Sequence, residues 1–95
     1  METSIGKPYH QKVISNNNFE RTFEENVSDD ELIWHRDKKD RLVTVVSCGD
    51  GWKFQYENNL PFNLINGIEF EIKKESFHRV IKGKGNLLLN IKELD

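Results

Sequence analysis

Residues 42–57 read Leu-Val-Thr-Val-Val-Ser-Cys-Gly-Asp-Gly-Trp-Lys-Phe-Gln-Tyr-Glu, and this stretch decides the fold. Its first five residues form an apolar, largely β-branched run that Gly49-Asp50-Gly51 ends. Trp52, Phe54 and Tyr56 then alternate strictly with Lys53, Gln55 and Glu57. A period of two sends successive side chains to opposite faces of a strand, whereas a helical face repeats about every 3.6 residues. The stretch predicts two strands joined as a hairpin with one apolar face.

The same period continues downstream. After Asn58-Asn59, Leu60, Phe62 and Leu64 alternate around Pro61 and Asn63, and Asn66-Gly67 suits a type I′ turn because both residues tolerate positive φ. Ile68, Phe70 and Ile72 alternate with Glu69 and Glu71. Residues 77–81 form a further apolar segment, Lys82-Gly83-Lys84-Gly85 a turn, and Leu87, Leu89 and Ile91 share the face of a last strand. About seven short strands separated by Gly and Asn turns predict an all-β sandwich or barrel with little or no helix, closure being one way to remove exposed edges. The expected core is Val43, Val45, Trp52, Phe54, Tyr56, Phe62, Leu64, Phe70, Ile72, Val80, Leu87, Leu89 and Ile91. Burying such side chains at ~1.5 to 3 kcal/mol each only modestly exceeds the ordering entropy of the chain, which favours a homodimer.

Upstream the signal thins. Residues 1–18 carry few apolar positions and read as an N-terminal arm, mobile at its end, or a loosely attached first strand; residues 19–95 then form one domain. Ser28-Asp29-Asp30-Glu31 has the form of a helix capping box, yet Leu32-Ile33-Trp34-His35 is short, branched and aromatic, so a single turn entering a strand is expected.

The 95 residues suffice for one domain, and 36% hydrophobic content with the apolar residues concentrated in residues 32–91 excludes disorder there. No apolar run approaches the ~18 residues of a membrane span, and the Met-Glu-Thr-Ser-Ile start lacks a signal peptide's basic and apolar regions; a cytoplasmic protein is expected. The one cysteine, Cys48, excludes an intrachain disulfide and a cysteine-based zinc cluster. A net charge of −2, with both signs interspersed, gives no basic field for nucleic acid.

The chemistry concentrates on two histidines. His35 and Asp37 lie two apart, so in a strand they project to one face while Trp34 and Arg36 point the other way. With His78 from a neighbouring strand they make two imidazoles and one carboxylate, a set suited to Fe(II) and tolerated by Mn, Ni or Zn. The competing reading is that the histidines are unrelated core or surface residues. Lys82-Gly83-Lys84-Gly85 has the glycines and lysines of a phosphate loop without a following helix, and reads as a turn. Cys48 reads as an unreactive thiol.

The segment from Gly67 to His78 resembles the second cupin motif, G-x5-P-x-G-x2-H, with Gly67 and His78 in place, Lys73 at the proline and Glu75 at the glycine. His35-x-Asp37-x3-Arg41, followed by Gly49, is similar to the first cupin motif, H-x-H-x3-4-E-x6-G. Asp37 stands at the second histidine, Arg41 at the glutamate, and Gly49 falls one residue late. The resemblance covers residues 32–91. It implies a small antiparallel jelly-roll β-barrel that often dimerises and holds one divalent metal among inward-facing histidines, here His35, Asp37 and His78. Arg41 places a cation where a carboxylate ligand is usual, and cupins with eroded ligands commonly hold no metal. The expected function is therefore binding of a divalent metal and a small anionic ligand, with Arg41, Tyr56 and Arg79 on the substrate side. The alternative is a non-catalytic ligand-binding or dimeric interaction module without metal.

Overall fold

The computed structural model describes residues 8–28 and 31–94. The capping-box residues Asp29 and Asp30 and the expected mobile end of the arm lie outside the described residues. Eight strands follow in order: β1 His10–Ser15, β2 Asn18–Phe23, β3 Asp40–Cys48, β4 Lys53–Tyr56, β5 Phe62–Asn63, β6 Glu69–Ile72, β7 His78–Ile81 and β8 Leu87–Leu94. They make a five-stranded sheet, β1-β2-β8-β3-β6, and a three-stranded sheet, β5-β4-β7, with antiparallel pairing throughout. No helix among the described residues is long and apolar enough to cross a membrane.

Alternation builds the interior as predicted. Phe19, Arg21 and Phe23 of β2, Val43 and Val45 of β3, Phe54 of β4, and Leu87, Leu89 and Ile91 of β8 are buried, while their strand neighbours are more exposed. Ten of the thirteen expected core residues are buried, and Tyr56, Phe62 and Phe70 pack half-buried against them. Phe19, Phe23, Val27 and Leu32 join the core without having been expected there. Residues 10–15, read as an arm or a loose strand, pair as β1 along β2 from His10↔Thr22 to Ser15↔Asn18.

The connections differ from expectation. β3 and β4 do not form a hairpin: β3 lies between β8 and β6, and β4 lies between β5 and β7 in the other sheet. Gly49-Asp50-Gly51 is a crossover between sheets, and Lys82-Gly83-Lys84-Gly85 is a second one, joining β7 to β8. The two interlock. Asp50 N donates to Lys84 O at 2.9 Å, and Lys84 N donates to Asp50 O at 2.7 Å. A Cβ at Gly49 would collide with the Lys84 carbonyl, and one at Gly83 with the Trp52 amide, so both positions require glycine for close approach. Trp52, fully buried, seals this end and donates its indole N–H to the carbonyls of Lys84 and Gly85.

The Asn66-Gly67 turn likewise joins the two sheets. Ile68 N donates to Ile65 O at 3.2 Å; Gly67 has φ 89° and Asn66 does not enter the left-handed region, so the turn is not type I′. The expected strand through residues 32–37 is reduced to one bridge, His35↔His78. The local reason is that Leu32 turns into the core while Ile33 and Trp34 stay exposed, so the segment lacks the alternation of a longer strand.

Candidate functional site

The His35 bridge is what assembles the site. His35 N donates to His78 O at 3.0 Å, His78 N to His35 O at 2.9 Å, and Glu75 N to Asp37 O at 2.7 Å, so residues 35–37 run against the turn before β7. That turn is tight although Lys73 and Glu75 replace the proline and glycine of the motif. Glu75 occupies the left-handed region at φ 65°, and Ser76 closes the turn by donating its Oγ to Lys73 O at 2.6 Å. Lys74 N is held by Asp40 Oδ1 at 2.7 Å.

These bonds bring His35, Asp37 and His78 together, with one donor atom from each within 4.8 Å of the others. Convergence follows from backbone pairing across the bridge, not from a regular strand face. His78 is 2% exposed, stacked on Phe54 at 5.5 Å and met edge-on by His35 at 4.4 Å between centroids. Its Nδ1 lies 3.0 Å from Ser76 O. A carbonyl only accepts, so Nδ1 carries the proton and Nε2 faces Asp37 Oδ2, 3.3 Å away. That contact lacks hydrogen-bond alignment, and Asp37 Oδ2 is buried without a hydrogen-bond partner. The Nε2 of His78 and a carboxylate oxygen without a hydrogen-bond partner, facing each other, form a donor set that suits a cation.

Burial raises the Asp37 pKa, but the polar contact with His78 and the charge of Arg41 outweigh it and hold the carboxyl below its usual 3.8. His35, at the exposed rim, has its pKa lowered below 6.5 by partial desolvation and then by repulsion from His78, which favours the neutral, ligand-competent ring.

Arg41 stands behind the triad. Its Nη1 reaches Asp37 Oδ1 at 3.2 Å and its Nη2 reaches Glu93 Oε2 at 2.9 Å; Arg41 and Glu93 are cross-strand partners of β3 and β8. The guanidinium fixes one oxygen of Asp37 and leaves the other turned toward the imidazoles. Arg41 also lines a cavity of about 590 Å³ with His35, Asp37, Glu93, Arg21 and Phe23, while His78 sits behind them.

Tyr56 and Arg79, expected on this cavity, lie elsewhere. The Tyr56 hydroxyl donates to Glu71 O and its ring borders a separate surface hollow with Glu71 and Phe77. Arg79 alternates outward from His78 and Val80, bonds Gln55 Oε1 at 2.8 Å and lies over Trp34 at 4.8 Å. Alternation fixes the face of a strand; it does not tell which cavity that face serves. Arg21 was not foreseen. The signal was Phe19-x-Arg21-x-Phe23, a period-two pattern that places an arginine between two core phenylalanines. Burial lowers its pKa to about 10, so it remains a cation at neutral pH.

No family model matches the chain, and no curated protein matches it. Solved structures do. A cupin domain from Bordetella pertussis Tohama I superposes with a TM-score of 0.65 at 16% identity, covering 94% of this chain and 96% of that one. A Klebsiella pneumoniae protein with a double-stranded β-helix domain gives 0.62 at 16% identity over 97% of this chain and 80% of that one. Fe(II)-HppE with the alternative substrate (S)-1-HPP gives 0.61 at 14% identity over 90% of this chain and 48% of that one. At such identities the likeness speaks for the backbone alone, and that backbone is a small cupin-like, double-stranded β-helix domain.

Proposed function

We propose that the chain is a metal-dependent ligand-binding protein of cupin fold, in which His35, Asp37 and His78 hold one divalent ion beside a cavity that takes a small anionic molecule. The observation that carries this reading is the buried Asp37 Oδ2, which has no hydrogen-bond partner and faces Nε2 of His78 at 3.3 Å. The Fe(II) state of one fold neighbour supports it without fixing the ion; nitrogen and carboxylate donors suit Fe, Mn, Ni or Zn. Such an ion would act as a Lewis acid toward an oxygen of the bound molecule. The chain's own residues have separate tasks: Arg41 orients Asp37, Ser76 sets the His78 tautomer, and the cavity walls hold the ligand.

A metal-free ligand-binding module is the second reading, favoured by the Arg41 pairs, which give one oxygen of Asp37 and one of Glu93 a cationic partner without any metal ion. Metal content separates the two. Protein purified without a metal-affinity tag is expected to carry or take up close to one divalent ion per chain, and His35→Gln is expected to lose it with little change in stability, because His35 is exposed. No uptake by folded wild-type protein, or equal uptake by His35→Gln, would select the metal-free reading. His78→Ala is a poorer test, since this ring is also buried packing against Phe54.

A further inference from the structure

We propose that Arg21 anchors a binding subsite for the carboxylate of a small, partly apolar organic acid in the cavity in front of His35 and Asp37. The subsite rests on the ligand-binding half of the reading above and not on its metal. Arg21 is 8% exposed, at an inward position of β2. Its guanidinium lies over the Tyr9 ring at 3.9 Å and near the Phe19 ring at 5.3 Å. Its hydrogen-bond partner is neutral: Nε and Nη2 both donate to Gln11 Oε1, at 3.2 and 2.8 Å. No carboxylate among the described residues forms an ion pair with it. The nearby Asp37 and Glu93 are both taken by Arg41.

Burying a cation against a neutral amide is costly unless a counter-ion completes the site. Gln11 occupies the side edge of the guanidinium; the end edge, Nη1 with the second N–H of Nη2, has no hydrogen-bond partner among the described residues, and Arg21 lines the cavity. A planar edge with two parallel N–H groups matches the two oxygens of a carboxylate. Arg41 spends Nη1 on Asp37 and Nη2 on Glu93, and its remaining unpartnered Nε is buried, so the cavity has one accessible cationic fork and suits a single negative charge better than a phosphate. Phe23, Leu32 and Val80 supply apolar wall for the body of the acid, with His35 and Asp37 beyond it.

The test uses the metal-free, EDTA-treated 95-residue protein titrated calorimetrically with benzoate, with benzamide as its uncharged counterpart and with inorganic phosphate. Benzoate is expected to bind at least about tenfold more tightly than either, and Arg21→Met to lose at least about tenfold in benzoate affinity, with Arg21→Lys between. Equal affinities for benzoate and benzamide, tighter binding of phosphate, an unchanged benzoate affinity in folded Arg21→Met, or no millimolar binding by wild type would each overturn the subsite. Should Arg21→Met not fold, the wild-type benzoate-to-benzamide ratio and the shift of the Arg21 guanidinium NMR signals decide it. Repeating the titration with Mn(II) separates the two readings: an unchanged benzoate affinity would count against the metal and leave the subsite standing.

Discussion

The two ends of the barrel interior are made by the same strands and differ in what those strands carry. Along β3 the inward positions run Val45, Val43, Arg41; along β8 they run Leu87, Leu89, Ile91, Glu93; along β7 they run Val80, His78. One end is sealed by Trp52 and by the interlocked glycine crossovers. The other ends in two arginines, two acids and two imidazoles. A step of two residues therefore separates close apolar packing from a charge network. The sealed end contributes stability through area removed from water, while the polar end contributes little net stability and a specific arrangement of donors.

Removing Trp52 should break that contrast most severely. Trp52→Ala deletes a fully buried ring and its two carbonyl partners, and should cost ~3 to 5 kcal/mol in urea melts. A loss below about 1 kcal/mol would mean that the sealed end does not carry the fold. At the polar end the expected effect depends on pH. Asp37 has a lowered pKa when folded, so its contribution is present above the unfolded value of 3.8 and lost as pH falls through the lower folded value. Urea midpoints of the metal-free protein should fall through this acid range, and Asp37→Asn should flatten the slope there; an identical slope in the variant would remove Asp37 from the network. His35 acts over a higher window. Its lowered pKa means that the unfolded chain binds the proton more readily, so acidification below 6.5 also destabilises the fold.

The smallest expected effect lies in the turn that carries the site. Glu75 is non-glycine at φ 65° and its exposed pair with Arg36, at 3.5 Å, contributes little. Glu75→Gly should therefore stabilise by about 0.5 to 1 kcal/mol, read as a higher urea midpoint. A lower midpoint would show that the side chain, not the backbone, holds the turn.

The contrast between the ends also explains what the sequence made legible. Trp52-x-Phe54-x-Tyr56 and Leu87-x-Leu89-x-Ile91 announce strands and core because period-two burial needs only local pattern. Which strand pairs with which is not local: Gly49-Asp50-Gly51 reads equally well as a hairpin turn or as a crossover, and here it is a crossover. The grouping of His35, Asp37 and His78 was legible from motif spacing, although the backbone route to it was not, since one bridge does what a strand was expected to do. Tyr56 and Arg79 were placed by residue type, and their neighbours along the strand decided otherwise. Arg21 escaped because a charge in a three-position alternation weakens the pattern that marks a strand.

The last strand in sequence lies at the centre of the larger sheet. β8 pairs on one side with β2, as in Asn18↔Lys92, and on the other with β3. Of the eight strands it is the last to leave the ribosome, yet until it arrives β2 is paired only with β1 and β3 only with β6. The β1–β2 hairpin, with Phe19 and Phe23 uncovered on one face, must wait for it, and the loop closed by Asn18 and Lys92 spans most of the chain. Folding of this domain thus waits for β8 and is slow for its size, because its decisive contact joins distant parts of the sequence. The interval before β8 docks is when Phe19 and Phe23 are open to aggregation or to a chaperone.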